Sequence, residues 1–174
     1  MILRFAQWIQ LTPFFTYIRG SAYTYPIILS LHMTAIALFG GMILMTDLRL
    51  LGLAMTRYPA SHVMDQLRVP KRFGFLLVAT CGILMLGSKA EEYYYNAFFR
   101  AKLVLLALVV VHALIFRRSV YDQAAEFDRT GQIPGRAKLA AALSLLLWIG
   151  IACMGRGIGY IEPPWGIQAV LWPH

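Results

Sequence analysis

The chain has 174 residues, of which 59% are hydrophobic and only 14% charged, with a mean hydropathy of +0.63. A soluble domain would be nearer half apolar and a quarter charged, so this composition excludes an ordinary soluble enzyme and indicates a single membrane domain over 1–174. The formal net charge of +8 does not indicate nucleic acid, because the basic residues flank apolar runs instead of forming a separate face.

In chain order, residues 3–18 come first. Arg4, Gln7 and Gln10 break this segment too often for a span or for the apolar core of a signal peptide. Thr12-Pro13 reads as a helix cap followed by proline at the first helical position. Trp8, Phe14, Phe15 and Tyr17 suit an interfacial helix lying on the bilayer. Four apolar runs follow at about 25–54, 73–88, 98–116 and 139–155, each near the length that crosses a hydrocarbon core. Tyr121 to Arg129 is charged and reads as an extension of the third helix. Residues 156–174, with Tyr160, Trp165, Trp172 and three prolines, read as an interfacial tail. The expected fold is all-α: an integral membrane four-helix bundle with an N-terminal interfacial helix.

Ten of the 16 lysines and arginines fall in or beside the loops joining spans one to two and three to four. The positive-inside bias places those loops in the cytoplasm and both termini on the outer side of the membrane.

The chain shows no phosphate loop, nucleophile triad or pair of catalytic carboxylates. It therefore has no hydrolase or transferase motif, and at most it is a redox subunit that transfers electrons. His32 in span one and His112 in span three are the residues most costly to place in lipid without a purpose. A neutral imidazole can serve as an axial ligand to haem b, or it can be a packing residue hydrogen-bonded to a neighbouring helix. Ser30 and Thr34 beside His32 are small and polar, and Gly40 and Gly41 two turns on would admit another helix or a flat ring. Two histidines on facing helices could clamp one haem, although the span centres put His32 and His112 roughly 10 Å apart in depth. Soft ligands offer a copper alternative, with Cys81 and Met85 four residues apart on span two, Cys153 on span four, and His32 as a further metal ligand. The competing reading is that methionines and cysteines in an apolar bundle fill gaps.

Asp47 and Arg49 lie at the inner edge of span one and point to different helix faces. A carboxylate there must be paired or wet, and Lys71, Arg72, Arg117, Arg118 and Lys138 are the available cations. Asp47 is either an orientation lock or an entry point for a proton or ion.

Thr12-Pro13, Arg19 with Ser21, Tyr25-Pro26, His32, Gly41, the run Asp47-Leu48-Arg49-Leu50-Leu51-Gly52, and Asn96, Phe99 and Lys102 together resemble a family of small bacterial inner-membrane proteins with four spans. That family is labelled only as a domain of unknown function. The resemblance covers nearly the whole chain and is most specific from Tyr25 to Gly52. It implies a four-helix membrane bundle with His32 and the Asp47–Gly52 run as its signature, and it brings no activity. Two positions depart from the pattern: Gly20 stands where an acidic residue is expected, and His112 where asparagine is as frequent as histidine. The layout is also similar to b-type membrane cytochromes and copper-resistance membrane proteins, by analogy only.

The leading expectation is a haem- or metal-binding subunit in electron transfer or metal handling. Its partners would be the lipid bilayer and a quinone or a periplasmic redox protein, with no nucleic acid. The alternative is a non-redox transport accessory or structural subunit, a homo-oligomer or part of a larger membrane complex, in which Asp47 matters more than the histidines.

Overall fold

The computed structural model describes residues 1–116, 120 and 122–160. Arg117, Arg118 and the part of the expected tail from residue 161 onward, including Trp165, Trp172 and His174, lie outside the described residues. The described chain forms eight helices: α1 (Ile2–Gln10), α2 (Pro13–Gly20), α3 (Thr24–Leu51), α4 (Ala60–Ser88), α5 (Ala90–Tyr95), α6 (Ala97–Phe116), α7 (Ala124–Thr130) and α8 (Gly135–Ile158).

Helices α3, α4, α6 and α8 are long and apolar enough to cross a membrane. Their surfaces confirm the logic of the composition. Large apolar side chains such as Leu38, Leu76, Val104, Leu114 and Leu146 point away from the bundle, and α6 buries no residue at all. In water such a surface would drive aggregation, whereas lipid tails solvate it. The chain is that of a multi-pass integral membrane protein with an all-α, four-helix bundle fold.

The element boundaries refine the expectations in three places. Segment 3–18, expected as one interfacial helix, is two helices, because Thr12 takes an extended backbone (φ −63°, ψ 145°) ahead of Pro13. A residue before proline is driven out of the helical region, so the signal that starts α2 also ends α1. The second span is a 29-residue helix that runs through Pro70, and Lys71 and Arg72 are therefore inside α4 and not in a loop. The charged stretch after the third span contains a separate short helix, α7, instead of a continuation of α6.

The spans pack in a row. α3 lies against α4 on one side and α8 on the other, and α8 lies against α6. The outermost members, α4 and α6, form no extended interface among the described residues; they are joined through α5 at one end. Glycines permit the close approaches: a Cβ added at Gly74 of α4 would meet Phe39 at 3.2 Å, and one at Gly150 of α8 would meet Leu105 at 3.2 Å. Gly40 and Gly41 do not play this part, since a Cβ at either would have no neighbour within 4 Å.

Each end of the row is closed by its short helices. At the α5 end, Gln7 Nε2 donates to Glu91 Oε1 at 2.8 Å and the Glu91 amide donates to Gln10 Oε1 at 3.0 Å, fixing α1 onto α5. Asn96 begins α6 as an N-cap, its Oδ1 accepting the Phe99 amide at 3.1 Å. At the other end, α7 and its flanks build an apolar cluster of Leu50, Met64, Val120, Ala124, Phe127 and the first turns of α8. Pro59 has no side chain to cap α4, so Asp128 of α7 does so from outside. Its Oδ1 accepts the Ala60 amide at 2.5 Å and its Oδ2 the Ser61 amide at 2.9 Å.

Candidate functional site

The Asp47–Gly52 run divides its labour residue by residue. Gly52 adopts φ +78°, and the Gly52 and Leu53 amides return to the carbonyls of Arg49 and Leu48, which is a Schellman closure of α3. Arg49 Nε donates to the Tyr58 carbonyl at 2.8 Å and ties down the loop to α4. Leu50 is buried in the apolar cluster and Leu51 packs on it. Asp47 alone contributes nothing evident to this closure. It points back into the bundle, with 7% of its surface exposed.

There Asp47 faces a cavity of about 340 Å³. The cavity is bounded by all four spans: Phe39 and Asp47 of α3, Lys71 and Phe75 of α4, His112 of α6, and Ser144 of α8 with its neighbour Trp148. It occupies the gap between α4 and α6 next to the apolar cluster that closes the α7 end. Phe75 lines it and is also 56% exposed, at a depth where the surroundings are lipid.

The polar groups of this cavity are held but not mutually neutralised. Ser144 lines the cavity together with Asp47, and Lys71 acts on Asp47 through its charge. No ion pair forms between them: among the described residues only Lys89–Glu92 and Arg129–Glu126 come within 4 Å. Lys71 Nζ instead donates to Thr46 Oγ1 at 2.5 Å, and Thr46 passes its own hydrogen to the Met42 carbonyl at 3.0 Å. An ammonium has three donors, so this arrangement leaves Lys71 with hydrogens for another acceptor. Asp47 Oδ2 is buried and has no hydrogen-bond partner. An unsatisfied buried acceptor costs about 1–3 kcal/mol, more if charged, so folding alone gives no reason for it.

His112 Nε2 lies 2.9 Å from the Ala140 carbonyl oxygen. A carbonyl only accepts, so Nε2 carries the proton and a neutral ring keeps its lone pair on Nδ1. The ring also meets Phe116, with centroids 4.9 Å apart.

His32 sits elsewhere. It is fifteen residues before Asp47 on the same helix, about 22 Å along the axis, and it is outside the cavity that His112 shares with Asp47. Its Cε1 would lie 3.3 Å from a Cβ added at Gly82, so the ring rests against the backbone of α4. His32 is 8% exposed, and its Nδ1 is the other buried polar side-chain atom without a partner among the described residues. Cys81, next to Gly82, is buried, while Cys153 on α8 is exposed; both are free thiols. Met85 lies on α4 one turn beyond Cys81. Among the described residues no group of three or more His, Cys, Asp or Glu side chains is placed to hold a metal ion.

The sequence reading named Asp47 with Lys71 among its candidate cations, and His112 apart from them. It missed Thr46, Ser144 and Trp148. Ser144 was findable as the only hydroxyl in the apolar run of the fourth span, but Thr46 carries no signal beyond its place beside Asp47.

Residues 5–161 match a family of unknown function, DUF6644. The chain belongs to that family. Neither the curated proteins nor the solved structures include a match to it. The matched stretch takes in every residue of the cavity, and family membership adds no activity.

Proposed function

We propose that this protein is a membrane-embedded binding subunit whose working site is the cavity between α4 and α6, and that it serves a non-redox or accessory role in handling a lipid-soluble small molecule with a polar group, drawn from the bilayer. The observation that carries this reading is Asp47 Oδ2, buried and without a partner beside a lysine it does not pair with. A span that tolerates a carboxylate at a cost of about 2.5–3.5 kcal/mol has a use for it. The excess of lysine and arginine near α7 supports an inner-membrane topology with the Asp47 end cytoplasmic and both termini periplasmic.

The test is native mass spectrometry of the detergent-purified protein, with a thermal shift on adding back a bacterial lipid extract. Wild type is expected to carry a small-molecule adduct and to gain stability from the extract. Ser144→Phe, which fills the cavity, is expected to do neither. Indistinguishable behaviour of the two proteins would overturn the reading.

A second reading rests on His32. Its buried Nδ1, without a hydrogen-bond partner, supports an axial ligand to haem b, with electron transfer to a quinone or periplasmic redox protein. An oxidised and dithionite-reduced absorption spectrum tests it. A Soret band with a reduced α-band in wild type, lost in His32→Ala, would establish it. A colourless protein made with ample haem supply would sink it.

A further inference from the structure

We infer that the cavity between α4 and α6 takes the ring of a membrane-soluble quinone in its hydroquinone form, bound and not chemically altered. The inference rests on the cavity being the working site and adds the chemical class of its ligand.

Four observations point to this class. The cavity's mouth is at the lipid face: α4 and α6 do not close on each other, and Phe75 is both lining and exposed. A ligand that enters there is dissolved in the membrane. The walls are aromatic, with Phe39 set edge-on to Trp148 at 5.4 Å and tilted against Phe75 at 6.1 Å, which favours a flat ring. The volume of about 340 Å³ suits one small ring system, at the lower end of ligand pockets. Finally, the polar end asks for both senses of hydrogen bond. Asp47 Oδ2 needs a donor, and the unused hydrogens of Lys71 need an acceptor.

A hydroquinone hydroxyl supplies both at one atom, giving its hydrogen to Oδ2 and its lone pair to the ammonium. The oxidised quinone has only carbonyl oxygens and leaves Oδ2 unsatisfied. A phosphodiester oxygen likewise offers no hydrogen and adds a negative charge beside Asp47, so a phospholipid could satisfy Oδ2 only with an ammonium or hydroxyl of its headgroup, at the cost of bringing that charge with it. The site therefore discriminates by hydrogen count, and the hydroquinone is expected to bind on the order of tenfold more tightly than its oxidised form, the usual consequence of leaving a buried acceptor unpaired.

Trp148 lines the cavity and can report occupancy. The full chain carrying Trp8→Phe, Trp165→Phe and Trp172→Phe keeps it as the single tryptophan, since the sequence has four. Titration with a decyl-substituted benzoquinone is expected to quench Trp148 along a saturable curve. The matching hydroquinone, added under reductant, is expected to bind with a dissociation constant on the order of tenfold lower. Asp47→Leu should erase that preference while the protein still unfolds cooperatively.

Linear quenching, unchanged by Ser144→Phe, would mean simple partition into the detergent and would overturn the inference. Equal affinity for the two redox forms would overturn it as well. So would a saturable response to phosphatidylethanolamine micelles that outcompetes the quinone. If these failures occur while the lipid extract still stabilises wild type and not Ser144→Phe, the cavity remains the working site and only the quinone class is lost.

Discussion

Two aspartates at the same end of this molecule have opposite circumstances. Asp128 sits at the edge of α7 and spends both carboxylate oxygens on the Ala60 and Ser61 amides, the exposed first turn of α4. Asp47 is about 93% buried in the bundle and leaves one oxygen with nothing. The fold explains Asp128 completely: remove it, and two helix-terminal donors lose their acceptor. It does not explain Asp47, whose replacement by a leucine of similar breadth would relieve a buried charge. The contrast separates a carboxylate that holds the structure from one that the structure carries.

The contrast can be broken most sharply at Asp47. Asp47→Leu is expected to reduce affinity for the cavity ligand by more than tenfold and to leave thermal stability unchanged or raised, because apolar replacements of poorly paired buried charges are often neutral or favourable. Ligand titration beside a melting curve checks both halves; a large loss of stability would make Asp47 a structural residue like Asp128.

Asp128→Ala should show the reverse. Loss of a helix cap costs about 1 kcal/mol, within a range of roughly 0.5–2, measurable by unfolding in mixed micelles, and ligand affinity should stay within about twofold. Gly52→Ala is expected to cost a comparable or slightly smaller amount, about 1 kcal/mol, because the left-handed φ of +78° that closes α3 is disfavoured for most residues with a Cβ. A Gly52→Asn variant, better suited to that conformation, should recover part of the loss.

The smallest effect is one of pH. Burial works against ionisation of Asp128, but the Ser61 hydroxyl, the two amides it caps and the Arg49 charge outweigh it and hold the carboxyl below its usual value. A depressed folded-state value means the stabilisation is present above the unfolded value of about 3.9 and is lost as pH falls through the folded one. The stability gap between wild type and Asp128→Asn should therefore be full near neutrality and shrink below about pH 4. A gap that grew on acidification would have the wrong sign.

Much of the fold is legible in the sequence because lipid imposes so simple a rule. Twenty apolar residues between polar flanks announce a span whatever they pack against, and all four spans could be placed within a few residues at most of their ends. The start of α4 was the exception. Its first turns, with His62, Asp65, Arg68 and Pro70, are polar and proline-containing, and only Asp128 from α7 makes Ala60 a helix start. That contact joins residues 68 positions apart, and no local pattern reveals it.

The site follows the same division. Asp47 is conspicuous because a charge in an apolar run is expensive wherever it occurs. Its surroundings are not, because Lys71, His112 and Ser144 reach it from three other helices. The glycines show the limit in miniature. Gly40 and Gly41 looked like the place for a close approach, yet the approach to His32 is made at Gly82, on a different span. A missing side chain tells where a neighbour could come, and only packing tells whether one does.

The open order of the spans has a mechanical consequence. A ring of four helices resists change in shape, since any widening must part an interface. A strip of four, α4–α3–α8–α6, can curl or flatten about α3 and α8 with every existing interface kept. α5 joins its two outer members at one end, and the α7 cluster, which takes in Met64 of α4 with Phe116 of α6 packed against it, bridges them at the other, so only the middle of the α4–α6 gap, beside Phe75, is left to widen. The distance between labels midway along α4 and α6 is thus expected to gauge occupancy with no knowledge of the occupant.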